Sequence, residues 1–114
     1  MSTLTPEQAK RLLTDVSFRD KLKAARMVMP SGLHREDICS MEEVHWFLEP
    51  SLQTLPAINL DKLAEWLEQH YQEIETAASI RQIVKNSPNQ VEAYKQTYEL
   101  IGARLTQARE VVNA

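Results

Sequence analysis

The strongest periodic pattern of apolar residues lies near the C-terminal end of the chain. Between residues 91 and 112, apolar residues recur at alternating steps of three and four, which is the spacing of one face of a helix. Ser87, Pro88 and Gln90 precede this seam and have the pattern of a capped helix start. We therefore expect a helix that begins near Pro88 and buries the seam, whose members are Val91, Tyr94, Tyr98, Ile101, Leu105, Ala108 and Val112.

A second long helix is predicted directly before this one. Asn59 is a favourable N-cap residue, and helical spacing continues through Leu60, Leu63, Leu67, Tyr71, Ile74 and Ala78. Two helices of about 25 residues, each ~38 Å long, would meet at a tight turn and form an antiparallel αα-hairpin. We expect this long helical hairpin, residues 59–113, to be the scaffold of the fold.

Shorter helices and a connector are predicted over residues 6–58. Thr5, Pro6 and Gln8 form a helix start. A further helical pattern follows Ser17 and ends before Pro30, and its apolar residues are Phe18, Leu22, Ala25 and Met29. The spacing does not distinguish one helix from two over residues 6–29.

A third helix of this half is predicted over residues 36–49. Ser40 and Glu43 form a capping box of their own, so a start at Met41 is the alternative. Pro50 ends or kinks the helix. Residues 50–58 form an apolar connector, in which we expect three buried side chains, those of Leu52, Leu55 and Ile58.

These elements predict an all-α fold, a small bundle of four or five helices in a single domain that spans residues 1–114. The chain has only two glycines and five prolines. This scarcity of turn residues argues against short strands and tight hairpins. Hydrophobic residues make up 43% of the chain and charged residues 25%, which excludes a chain that is disordered throughout.

The net charge of −3 conceals a segregation along the chain. Residues 1–35 hold seven bases and three acids, residues 36–80 hold one base and ten acids, and residues 81–114 hold five bases and three acids. The basic N-terminal segment either packs against the acidic middle and neutralises it, or forms a docking surface. On a helix, Arg19, Lys23 and Arg26 would form one basic docking stripe.

No residue pattern carries recognisable catalytic or metal chemistry. Cys39, His34 and His45 are close in sequence, but their spacing puts them on different faces of a helix, and zinc sites need converging ligands. Gly32 and Gly102 stand alone, so a phosphate-binding loop is absent. We expect no enzyme activity, no catalytic residue, no metal and no cofactor.

Nucleic-acid binding is the alternative that the basic stripe suggests, since its three cations could contact phosphates. The acidic middle segment would repel a polyanion, and no recognition-helix pattern follows a glycine turn. We therefore expect that the chain does not bind nucleic acid.

Candidate contact residues for a protein partner lie at the margins of the apolar faces. Trp46 and Trp66 flank their helical stripes, and tryptophan anchors interfaces out of proportion to its number. Leu100 and Arg104 lie on a second, mildly apolar face of the last helix, together with Ala93, Thr97 and Val111. If another subunit covers this face, the chain is a homodimer.

The sequence thus favours a non-enzymatic protein-binding regulator, adaptor or inhibitor that acts through helical surfaces. A nucleic-acid-binding regulator that uses the basic N-terminal helix is one alternative, and a structural subunit of a larger complex is another. The N-terminal residues lack a signal-peptide pattern, and no apolar run approaches the ~20 residues that span a bilayer. We expect a cytoplasmic protein that does not enter a membrane.

Overall fold

The computed structural model describes residues 3–51 and 54–114. Within these ranges the chain forms five α-helices, a short 3₁₀ turn at Phe18–Asp20 and a three-stranded antiparallel sheet. The prediction of an all-α bundle is therefore wrong, and the fold is mixed α and β. The elements run in the order α1 (Pro6–Leu12), β1 (Leu22–Val28), β2 (Gly32–Ile38), α2 (Met41–Phe47), β3 (Thr54–Ala57), α3 (Leu60–Tyr71), α4 (Ile74–Asn86) and α5 (Gln90–Val112).

The helix predicted after Ser17 is replaced by the β1–β2 hairpin. Residues 29–31 form the turn, and Gly32 follows with a φ of 101°, a conformation that other residues rarely adopt. The scarcity of glycine does not exclude a hairpin, because one well-placed glycine is enough for one tight turn. Along β1, Leu22 faces the buried core and its neighbour Lys23 faces solvent, which is the alternation of a half-buried strand.

β1 is the central strand of the sheet, with β2 on one side and β3 on the other. Met27 of β1 lies opposite Leu33 of β2 and Leu55 of β3. Within the part of the chain that the structure describes, β2 and β3 are edge strands.

The helix predicted over residues 36–49 is shorter than expected, because its first residues belong to β2. The alternative start at Met41 is confirmed, with the Ser40 hydroxyl accepting a hydrogen bond from the Glu43 amide. In the connector, Ile58 is buried as predicted, whereas Leu55 is 57% exposed. Leu52 lies outside the described residues.

The first helix of the predicted hairpin is broken in two. α3 begins after its Asn59 cap as predicted, but it ends at Gln72, which adopts a left-handed φ of 56°. α4 starts at Ile74, directly after Glu73. The predicted last helix is present as α5, although its cap is Asn89, and Ser87 instead ends α4.

The buried face of α5 differs from the predicted seam. Ile101, Leu105 and Ala108 are fully buried, but Val91 at the start of the seam is 66% exposed. The predicted second face is also inside the fold, because Ala93, Thr97 and Arg104 are buried. α5 therefore presents a broad face to the rest of the chain, which it contacts through α1, α2 and α4.

One hydrophobic core connects the helices to the sheet. α3 contributes its centre, where Leu63, Ala64 and Leu67 are completely buried. Leu22 and Ile38 join this core from opposite positions on β1 and β2. The sheet therefore packs one face against the helices and turns the other face outward.

Candidate functional site

The outer face of the sheet carries three large exposed aliphatic side chains in one line. Met27, Leu33 and Leu55 lie opposite one another on the three strands and are 36%, 61% and 57% exposed. Directly opposed residues of antiparallel strands project to the same face. These residues form a continuous line across the sheet, which we name the aliphatic row.

Small and charged side chains complete the outer face beside the aliphatic row. Ala25 lies opposite both Arg35 and Ala57, and Lys23 lies opposite Asp37. The surface here forms a shallow depression of about 450 Å³ that includes these residues and Leu33. The outer face is thus apolar at one end of the sheet and charged at the other.

A second depression runs between the edge strand β2 and helix α2, and we name it the β2–α2 groove. Its volume is about 160 Å³, and it is lined by Arg26, Glu36, Asp37, Ile38, Glu43, Trp46 and Phe47. Trp46 is 67% exposed, although large aromatic side chains are usually mostly buried. The groove therefore offers an aromatic surface directly beside the strand edge.

Arg26 fixes the walls of the β2–α2 groove relative to each other. Its Nε donates a hydrogen bond to Glu36 Oε2 at 3.1 Å, and its Nη2 donates to the Phe47 carbonyl at 3.0 Å. The guanidinium also lies 4.7 Å from the centre of the Phe47 ring. This single side chain ties the strand to the helix, so the groove is formed before any partner binds.

The three residues of the predicted basic stripe do not lie side by side in the structure. Arg19 lies in the 3₁₀ turn, while Lys23 and Arg26 lie on β1. Residues three apart on a strand project to opposite faces, so Lys23 points outward and Arg26 points toward α2. The three cations therefore do not share a surface as they would on a helix.

The predicted partner residues fall in different environments. Trp46 is on the surface, but Trp66 is only 5% exposed, and its indole donates a 2.7 Å hydrogen bond to the Asp20 carbonyl. Leu100 is half-buried and packs against the core. Arg104 is buried beside Glu73. Trp66 and Arg104 thus serve the fold of this chain and give no support to the expected homodimer.

Cys39 lacks the features of an activated nucleophile. Burial raises the pKa of its thiol, and the carboxylates of Glu43 and Asp15 raise it further, so the less reactive protonated form is favoured. The ring of His45 stacks on Tyr98 at a centroid distance of 4.3 Å, and His34 Nε2 lies 3.1 Å from the Ser31 hydroxyl. Among residues 3–51 and 54–114, no three histidine, cysteine, aspartate or glutamate side chains are arranged to hold a metal ion.

The aliphatic row was not predicted from the sequence, because it depends on the register between three strands that the apolar pattern did not indicate. The available signal was Gly32, which follows the turn between two strands of seven residues that pair with each other. Trp46 was identified from the sequence, but the groove beside it was not.

Two further observations come from the helices and from a comparison with known proteins. In the part that the structure describes, no helix is both long enough and apolar enough to cross a membrane. No protein-family model, curated protein or solved structure matches this chain.

Proposed function

We propose that this chain is a non-enzymatic protein-binding module of the adaptor or regulator type, and that it contacts its partner through the outer face of its sheet. The observation that carries the proposal is the aliphatic row. An antiparallel sheet with one solvated face normally places polar side chains there. Here Met27, Leu33 and Leu55 take outward positions instead.

Packing within the described part of the chain does not explain why these three positions are apolar. The aliphatic row lies outside the core formed by the described residues, so a polar side chain at each position would leave that core unchanged. Burying a large aliphatic side chain is worth about 1.5–3 kcal/mol. A partner that covers the row would gain this energy, and contiguous exposed apolar surface is typical of interaction sites.

The charged end of the outer face would form the polar margin of such an interface. Arg35, Lys23 and Asp37 are next to the small residues Ala25 and Ala57, which allow a partner to approach the sheet closely. Protein interfaces commonly combine an apolar centre with a polar rim. The outer face therefore has the composition of a contact surface for a protein.

The test compares proteins recovered with tagged variants from the native host. Replacing Leu33 and Leu55 together by serine should reduce recovery of a specific partner at least tenfold, because two anchoring side chains are lost. Ile74→Ser is the matched control, since Ile74 is 59% exposed but lies on α4, away from the sheet. Equal recovery of the same partners with the double variant would refute the proposal.

A further inference from the structure

We propose that the β2–α2 groove binds an extended, basic segment of a partner protein, and that this segment adds to the free edge of β2 as a fourth strand. The inference rests on the proposed protein-binding function and goes further by naming the chemistry of the bound segment. It follows from three features of the groove, namely an unpaired strand edge, an exposed aromatic wall and an excess of acidic side chains.

The first feature is the edge of β2. Within the described residues, β2 pairs only with β1, along all seven of its residues. At the edge of an antiparallel sheet, alternate residues direct their amide and carbonyl groups away from the neighbouring strand. An extended peptide can satisfy these groups by main-chain hydrogen bonds, which is a recurrent mode of peptide recognition.

The second feature is the wall that α2 provides beside this edge. Trp46 and Phe47 of α2 line the groove together with Glu36 and Ile38 of β2. An added strand would therefore direct alternate side chains toward the exposed indole of Trp46. Tryptophan is enriched among residues that dominate binding energy, so Trp46 is suited to anchor a side chain of the bound segment.

The third feature is charge. Glu36, Glu43 and Arg26 line the groove, and Asp37 lies at its rim, on the outer side of β2. Arg26 already binds Glu36 and the Phe47 carbonyl. The remaining negative potential favours lysine or arginine in the bound segment, and such a cation could also lie over the indole ring.

Charge also argues against a second copy of this chain as the occupant. Antiparallel pairing of two β2 strands would bring two grooves, each bordered by three acids and one base, next to each other, and only some registers would let Arg35 of one copy offset Asp37 of the other. A basic segment from a different protein would instead place positive charges next to these acids, which is favourable.

The experiment is an NMR titration of the 114-residue chain with three peptides of roughly the length of β2, seven residues. The first alternates valine with lysine, the second alternates valine with glutamate, and the third is the lysine peptide with its central valine replaced by proline. We expect the lysine peptide to shift the amides of β2 and the indole N–H of Trp46. The glutamate peptide should bind at least tenfold more weakly, because its charge is reversed.

The proline peptide separates strand addition from nonspecific attraction, because it keeps the charge but cannot complete the main-chain pairing. It should bind at least fivefold more weakly than the lysine peptide. Trp46→Ala should weaken binding of the lysine peptide at least tenfold, and Ile74→Ala should leave it unchanged. Circular dichroism checks that both variants fold, and we expect this because both side chains are exposed.

Equal binding of the lysine and proline peptides, or shifts that map away from β2, would overturn the inference. Concentration-dependent shifts of the β2 amides without peptide, together with a doubled mass in solution, would overturn it in favour of a second copy. These failures are distinct from failure of the proposed function, which is measured by the dependence of partner recovery on Leu33 and Leu55.

Discussion

Glu73 and Arg104 form a bidentate ion pair that is almost completely removed from solvent. Arg104 Nε lies 2.6 Å from Glu73 Oε1, Arg104 Nη2 lies 3.0 Å from Glu73 Oε2, and the two side chains are only 4% and 8% exposed. The Thr76 hydroxyl donates a further hydrogen bond to Glu73 at 2.8 Å. The pair joins the break between α3 and α4 to the middle of α5.

Removing one partner of this pair should be far more damaging than removing both. Arg104→Met leaves the Glu73 carboxylate buried without its counter-charge, which typically costs about 3–5 kcal/mol of unfolding free energy. The double variant Glu73→Gln, Arg104→Met should be more stable than Arg104→Met alone, and its loss should therefore be smaller than the sum of the two single losses. Urea denaturation of the four proteins measures this, and additive losses would mean that the two charges are not coupled.

The close contact between Gly102 and the ring of His45 leaves little room for a side chain at position 102. A Cβ atom built on Gly102 would lie 2.7 Å from His45 Nε2, and the stacking of His45 on Tyr98 limits its movement. Gly102→Ala should therefore destabilise the protein by about 1–3 kcal/mol. In the His45→Ala background, the same change should stabilise it by ~0.5–1 kcal/mol, because alanine favours a helix more than glycine does. A stabilising effect in both backgrounds would show that His45 does not restrict this position.

Stability should fall as the solution is acidified through the titration of His45. Burial lowers the pKa of His45 below its ordinary value of 6.5, the positive charge of Arg109 lowers it further, and Glu49 opposes these effects. Between the folded and unfolded pKa values, the unfolded chain binds more protons, so acidification favours unfolding. The contribution of neutral His45 to the free energy of unfolding is thus complete above pH 6.5 and decreases below it.

Chemical denaturation at about pH 7.5 and about pH 5.5 checks this expectation. His45→Gln should lose less stability between the two conditions than the wild type, since His34 and His70 are present in both proteins. An equal loss in the two proteins would contradict it.

Gln72 ends α3 in a left-handed conformation that glycine adopts without strain. Gln72→Gly should therefore raise the unfolding free energy by about 1 kcal/mol. Gln69→Gly, inside the same helix, is the matched control and should lower it by ~1 kcal/mol. Thermal unfolding distinguishes the two, and a decrease at both positions would show that the conformation of Gln72 stores no strain.

Two residues of the predicted seam on α5 should respond differently to truncation. Leu105 is completely buried, so Leu105→Ala should cost about 2–5 kcal/mol. Val91 is 66% exposed, so Val91→Ala should change stability by less than about 0.5 kcal/mol. Urea denaturation measures both, and a loss below ~1 kcal/mol for Leu105→Ala would contradict the burial of this face.

The parts of the fold that sequence predicted are those that local chemistry determines. Thr5, Ser40 and Asn59 each accept a hydrogen bond from a backbone amide of the helix that they precede. Such capping depends on neighbouring residues alone, so it is visible in the sequence.

The strands were not predictable in this way. β1 contains Lys23, Ala24, Ala25 and Arg26 in succession, all of which favour helices, and their extended conformation depends on pairing with β2 and β3. The candidate site was equally hard to predict, because it too depends on contacts between distant segments. Trp46 was recognisable as an aromatic residue, but the aliphatic row exists only because distant residues fall into register.

The open edge of β2 also bears on how the chain avoids aggregation. An unpaired strand edge is a template on which identical chains can stack into fibrils, and charged residues on edge strands counteract this. β2 carries His34, Arg35, Glu36 and Asp37 in succession. Replacing these charged residues by valine or threonine would therefore remove this protection and favour fibril growth that starts at β2.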